Sequence, residues 1–169
     1  MSLITPDGVS LRPYLPSDLS EIAALINNSI MELGAEDYNS DQCAAWANSL
    51  TDEAKLGSSL AQNVTLLALK NDEICGIIAL KNNTQIDLLF TDPHHARQGI
   101  ATFLIGAVEM LSTGRKATQL TVDASDPALS LFTTLSFTPM QRNTVTVNGE
   151  WLSNTTMHKL LNSKLVTTQ

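Results

Sequence analysis

Hydrophobic positions change period several times along the chain, and each change marks an element. Val9-Ser10-Leu11-Arg12-Pro13 reads as a first strand. Leu19, Ile22, Ala23, Ile26 and Ile30 then recur at helical spacing. Pro16-Ser17-Asp18 opens that helix, with Ser17 as the expected N-cap and Glu21 near the capping-box position, and Gly34 ends it. Asn39-Ser40-Asp41 opens a second helix through Ala44, Ala45 and Trp46, and Thr51-Asp52-Glu53 caps a third. Val64 to Lys70 and Glu73 to Leu80 are strand-like, and the intervening Asn71-Asp72 suits a tight hairpin. Asn82-Asn83-Thr84 turns into a strand from Ile86 to Thr91. The clearest helix follows, with Ile100, Phe103, Leu104, Ala107, Val108 and Leu111 on one stripe and Gly114 as its stop. Gln119 to Asp123 is a strand, and Asp126-Pro127 starts a short helix carrying Ala128, Leu131, Phe132 and Leu135. Asn148-Gly149 is the strongest hairpin signal, flanked by strands at about 138–147 and 150–160. This order predicts an α/β (mixed α+β) fold, a central, mostly antiparallel sheet with helices on both faces. One domain over residues 1–161 is expected, with a frayed tail at 162–169.

Composition narrows the class. With 169 residues, 43% of them apolar and 16% charged, the chain has material for a real core, which excludes general disorder. No apolar run is long enough to cross a bilayer, and Met1 to Val9 lacks the pattern of a signal peptide. Two cysteines, Cys43 and Cys75, exclude a disulfide scaffold and favour a reduced cytoplasmic setting. A net charge of −7 argues against nucleic acid as a partner. All of the excess lies in residues 1–84, and no Lys or Arg interrupts the acids from Glu32 to Glu53. That stretch is either a solvated helical face or an electrostatic funnel for a cationic ligand.

Candidate chemistry concentrates in Ile86-Asp87-Leu88-Leu89-Phe90-Thr91-Asp92-Pro93-His94-His95-Ala96-Arg97-Gln98-Gly99-Ile100-Ala101-Thr102. A buried strand runs through a loop with small residues at Gly99 and Ala101 into the amphipathic helix. Amides at a helix start lack intrahelical partners, the dipole adds positive charge there, and small residues admit close approach. The result is an anion cradle, with Arg97 in it. It is not a Walker A loop, since no Gly-Lys-Ser/Thr follows, and it lacks the GxGxxG dinucleotide pattern. His94 and His95 are adjacent on a loop and point apart, so a solvent-exposed pair is expected, and no grouping has metal-ligand spacing.

Arg97-Gln98-Gly99-Ile100-Ala101 resembles the acetyl-CoA pyrophosphate loop of the GNAT N-acetyltransferase superfamily, Arg/Gln-x-x-Gly-x-Gly/Ala. Phe132-Thr133-Thr134-Leu135-Ser136-Phe137 is similar to its second motif, an aromatic residue, three positions, then Gly-Phe. Four further segments resemble the YafP-like subgroup: Leu11-Arg12-Pro13-Tyr14; Asp37-Tyr38 with Gln42 and Ala45-Trp46-Ala47; Ile86-Asp87-Leu88-Leu89; and Leu152-Ser153-Asn154 with Met157 and Lys159. Three positions depart from the pattern: Ala96 replaces the leading Arg or Gln, Ser136 replaces the Gly before Phe137, and Phe132 stands where many members carry a Tyr that serves the departing thiolate.

The resemblance implies the GNAT acyl-CoA N-acyltransferase fold and transfer of acetyl from acetyl-CoA to an amine, with no metal. It implies pyrophosphate on the amides of Gln98, Gly99, Ile100, Ala101 and Thr102 beside Arg97, pantetheine along Leu88, Leu89, Phe90 and Thr91, and Phe132 near the thiol. An N–H near Leu89 or Phe90 would polarise the thioester carbonyl. The attacking amine must lose a proton. Asp87, the only charged residue of its strand, is the expected base; it alternates with Ile86, Leu88 and Phe90 and so should share a face with Leu89 and Thr91. A carboxylate merely bonded to a neighbouring loop or helix end is the competing reading, and Asp123 is a second carboxylate able to share the role through water. Glu36 and Asp37 are expected to hold a cationic acceptor, with Tyr38 and Trp46 lining its pocket; a core role for Trp46 is the alternative. The acceptor class is a small cationic amine or exposed peptide amine, and the assembly a monomer or homodimer away from membranes. The alternative is a non-catalytic acyl-CoA binding or sensing domain, favoured by Ala96 and Phe132.

Overall fold

The structure, a computed structural model, describes residues 3–161; Met1, Ser2 and the tail expected at 162–169 lie outside them. The helices are α1 (Leu19–Leu33), α2 (Ser40–Leu50), α3 (Glu53–Gln62), α4 (Ile100–Gly114) and α5 (Leu129–Thr134). The strands are β1 (Val9–Pro13), β2 (Val64–Lys70), β3 (Glu73–Lys81), β4 (Gln85–Thr91), β5 (Gln119–Ser125), β6 (Thr138–Val147) and β7 (Glu150–Leu160). They form one seven-stranded sheet in the order β1-β2-β3-β4-β5-β7-β6, antiparallel except between β4 and β5. The expected mixed sheet, covered on both faces, is what forms.

Local chemistry explains most boundaries. Asn71 and Asp72 both adopt positive φ, as do Asn148 and Gly149, the conformation a two-residue hairpin requires. The Asn39 side chain accepts from the Gln42 N–H while the Gln42 side chain accepts from the Asn39 N–H, a reciprocal cap on α2. Two expected caps are replaced. Ser17 does not cap α1: Pro16–Asp18 form a 3-10 turn, and the Asp18 carboxylate accepts from the Leu15 N–H and from both Arg12 guanidinium nitrogens, each at 2.8 Å. Gly114 is still helical; Lys116 takes the left-handed position, and Ala117 N–H closes on the Ser112 carbonyl at 2.9 Å.

Two cores flank the sheet. On one face Ile100, Phe103, Leu104 and Val108 of α4 and Phe132 of α5 pack on Ile78, Ile86, Leu120, Val122 and Met157. On the other, α1 to α3 supply Ile22, Ile26, Cys43, Ala47, Leu56 and Leu60 against Leu67, Ile77, Leu88 and Phe90. β3, buried on both faces, is apolar throughout its middle. Its Gly76 lets α4 lie close: a Cβ there would stand 2.7 Å from Ile100 Cγ2 and 3.0 Å from Leu104 Cδ1.

The sheet opens at its centre. β4 and β5 pair only at Gln85 with Thr121 and Ile86 with Val122, and then diverge. A bulge accompanies the opening. Leu80 pairs with Ile86 and Ala79 with Leu88, so Asp87 is an extra residue without a partner on β3. The bulge corrects the expected alternation: Ile86 belongs to the α4 core, whereas Leu88 and Phe90 belong to the α1–α3 core. Leu89 therefore shares its face with Ile86. A bulged residue bends its strand, which turns β4 away from β5.

Candidate active site

The cradle forms at the start of α4. Asp92 accepts from the His94 N–H at 2.9 Å and turns the chain through a short 3-10 segment, Pro93–His95. Arg97 and Gly99 then both take the left-handed conformation, with φ of 62° and 83°. The first intrahelical bond runs from the Phe103 N–H to the Gly99 carbonyl at 3.0 Å. The amides from Arg97 to Thr102 find no acceptor among the described residues. Unpaired donors at a helix N-terminus and in alternating turn conformations form an anion nest.

A cleft of about 390 Å³ opens from the cradle. Leu89, Phe90, Thr91, Arg97, Gly99, Ile100, Ala101 and Thr102 line it, and Ser125, Pro127, Ala128 and Leu131 close the far side. Opposite lie Glu32, Glu36 and Asp37 with Trp46. The cleft continues into the split between β4 and β5 as a wedge of about 160 Å³, lined by residues 86–90 of β4, 122–125 of β5, Phe132, and Trp46 and Leu50 of α2. Beyond Ile86, the β4 edge that faces β5 carries no strand pairing.

The structure sorts the expected residues. The named cofactor positions line the cleft or the wedge, with one exception. The Gln98 side chain turns outward, accepting from Lys70 Nζ at 3.1 Å. Phe132 is buried, edge-on to Phe137 at 5.0 Å, and borders the wedge. Glu36 and Trp46 line the cleft; Trp46 also packs on Tyr38 and Phe90, so it is both wall and core. Tyr38 does not line it. Its hydroxyl donates to the Ser153 carbonyl at 2.7 Å and accepts from the Asp126 N–H at 2.9 Å, tying the α1–α2 connection to β7 and to the turn before α5.

Asp87 is exposed and borders the wedge, but Asn63 Nδ2 donates to its carboxylate at 3.4 Å, and it also flanks a groove on α3 with Lys55 and Lys81. His94 and His95 do not point apart as expected: both turn Nδ1 toward the Asp92 carboxylate, at 3.0 and 3.9 Å, and only His94 is solvent-exposed, whereas the His95 side chain is 20% exposed and lines the cleft. Burial would raise the Asp92 carboxyl, but the His94 N–H and ring outweigh it and hold the group below its ordinary value. Burial pushes the Cys75 and Cys43 thiols up, away from nucleophilic thiolate. Among the described residues no group of three potential ligands could hold a metal ion, and no helix is long and apolar enough to cross a membrane.

Sequence reasoning missed the polar floor beside the wedge. Thr156 of β7 donates to Asp123 Oδ1 at 2.7 Å, and Asn143 Nδ2 of β6 donates to Thr156 Oγ1 at 2.8 Å and to Asn154 Oδ1 at 2.9 Å. Only the strand register brings Asp123 opposite Thr156 and Asn143 opposite Asn154.

Comparison with known proteins agrees with this geometry. Residues 34–161 match the family model described as an acetyltransferase (GNAT) domain. The chain is 28% identical over 148 residues to the uncharacterized N-acetyltransferase YafP of Escherichia coli K12, covering 88% of this chain and 93% of that protein. A GCN5-related N-acetyltransferase from Rhodopseudomonas palustris superposes with a TM-score of 0.89 at 43% identity, over 95% of this chain and 99% of that one. The PaiA N-acetyltransferase from Thermoplasma acidophilum, solved with coenzyme A, superposes with a TM-score of 0.75 at 15% identity, over 90% of this chain and 98% of that one. A split sheet, a donor nest at the helix that follows its fourth strand, and a family match over most of the length together place this chain in the GNAT acetyltransferase family.

Proposed function

We propose that the chain moves the acetyl group of acetyl-CoA to a primary amine by direct attack in a ternary complex. The row of unpaired amides from Arg97 to Thr102 carries this reading. Such donors fit a diphosphate, and the positive φ at Gly99 lets the backbone approach it. Arg97 adds charge beside them. The unpaired edge of β4 beyond Ile86 suits a pantetheine arm bonded as an extra strand would be. Bound acetyl-CoA supplies an activated acetyl carbonyl. The Leu89 amide, on the β4 edge turned away from β3, is a donor for its oxygen as negative charge develops, and holding both reactants in the wedge supplies orientation.

The acceptor is a small cationic amine or an exposed peptide amine. Glu32, Glu36 and Asp37 on the cleft wall favour a positive charge. An ammonium must lose a proton before attack, and Asp87 and Asp123, each one residue past the last β4–β5 pair, flank the apex of the split. A sensing role without turnover is the second reading, favoured by Phe132, which has no hydroxyl for the leaving thiolate. A thiolate near pKa 8.5 leaves well without one. Thiol release from acetyl-CoA with spermidine, glucosamine and a lysine-containing peptide separates the two. Amine-dependent release supports the transferase; a thermal shift with acetyl-CoA and no release supports the sensor; neither signal refutes both.

A further inference from the structure

The two carboxylates at the apex are not equivalent. Asp87 occupies a bulge, takes a hydrogen bond from Asn63 at the end of α3, and also faces an outer groove with two lysines. Asp123 lies on the β5 face opposite Leu120, Val122 and Ala124, which fill the α4 core. Its Oδ1 accepts from Thr156 Oγ1, itself held by Asn143 Nδ2, which is anchored on Asn154 Oδ1. Thr156 Oγ1 has one proton, and giving it to Asp123 leaves its lone pairs for Asn143. The relay therefore has one direction and fixes the carboxylate rotamer. Oδ2 has no protein partner among the described residues, and Asp123, exposed like Asp87, borders the wedge together with β4 residues and Trp46.

We propose that Asp123 is the catalytic base, with Thr156 and Asn143 as positioning residues. The assignment rests on the acetyl-transfer reading above. The acceptor arrives as an ammonium ion, and Asp123 Oδ2 takes one of its protons. The freed nitrogen lone pair forms the bond to the acetyl carbon. The carbon–sulfur bond breaks, its electron pair staying on sulfur as thiolate. The second nitrogen proton passes to that thiolate, and Asp123 returns its proton to solvent. The products are the amide, the free thiol and one proton.

The test compares two acceptors, spermidine and hydroxylamine; hydroxylamine is already neutral at the assay pH and needs no base before attack. Asp123→Asn keeps shape and the Thr156 bond while removing basicity. The expected loss in kcat/KM is about 100-fold or more for spermidine and under about tenfold for hydroxylamine, with the KM for acetyl-CoA unchanged. Thr156→Val should lower the spermidine rate, and Thr156→Ser should restore it. Equal losses for both acceptors would assign Asp123 a structural role and overturn the proposal. So would a spermidine rate within about threefold of the parent, or a selective loss of spermidine turnover that follows Asp87→Asn instead. If the parent protein releases no thiol with hydroxylamine, spermidine, glucosamine or the lysine-containing peptide, the acetyl-transfer reading itself fails, a result distinct from any behaviour of the variants.

Discussion

Gly99→Val tests the cradle directly. The position is not crowded, since a Cβ would meet only Pro6 Cγ at an ordinary 3.6 Å. The backbone is what resists, because φ is 83°. A side chain in that conformation costs about 1–2 kcal/mol, and a β-branched one does not adopt it readily. The variant either pays that cost or rotates the peptide, which re-aims the amides around position 99. At 100 times its dissociation constant, acetyl-CoA should stabilise the parent by about 2.7 kcal/mol, a rise of roughly 5–11 °C for a chain of this length. If re-aiming weakens binding 100-fold, the same concentration stabilises by only about 0.4 kcal/mol. Thermal melts with and without acetyl-CoA, run on both proteins, separate the two effects: the unliganded melt reports strain and the increment reports the cradle. A full-size increment in Gly99→Val would refute the assignment of the diphosphate to these amides.

Gly76→Ala should disturb the same site from below. The new methyl would overlap Ile100 and Leu104, and relieving it by lifting α4 costs about 1–3 kcal/mol; denaturant titration should show that loss and acetyl-CoA titration a weaker affinity. Tyr38→Phe should leave the Asp126 N–H and the Ser153 carbonyl unpaired and destabilise by about 1–3 kcal/mol; a changed amine KM in a variant of parental stability would instead restore Tyr38 to the acceptor pocket. The Arg12 hydrogen bonds, then the Leu15 N–H, hold Asp18 below the ordinary carboxyl value of 3.8 against the opposing effect of burial. A folded pKa below the unfolded one means that this stability is present above pH 3.8 and lost as pH falls through the lower folded value. Asp18→Asn should accordingly flatten the stability–pH curve below about pH 4 relative to the parent.

The period of the apolar positions, the Asn-Asp and Asn-Gly turns and the small residues around 99 made the element order and the cradle readable without coordinates. Each depends on neighbours within a turn or two of chain, so a local pattern carries it. The stripe on α4 needed only helical geometry to declare its buried face. What resisted reading depends on contacts between distant segments. The bulge at Asp87 arises from how β4 pairs with β3, and it overturned the alternation that had placed Ile86 with Leu88 and Phe90. Tyr38 looked like a pocket residue until the fold set Ser153 and Asp126 around its hydroxyl. Asp123 carries nothing in its own sequence window to say that Thr156 and Asn143 will orient it; the pairing of β5, β7 and β6 decides that. Backbone conformation is set by short-range sterics and so is written locally, whereas a side chain's hydrogen-bond partners are chosen by register, which forms only when the whole sheet does.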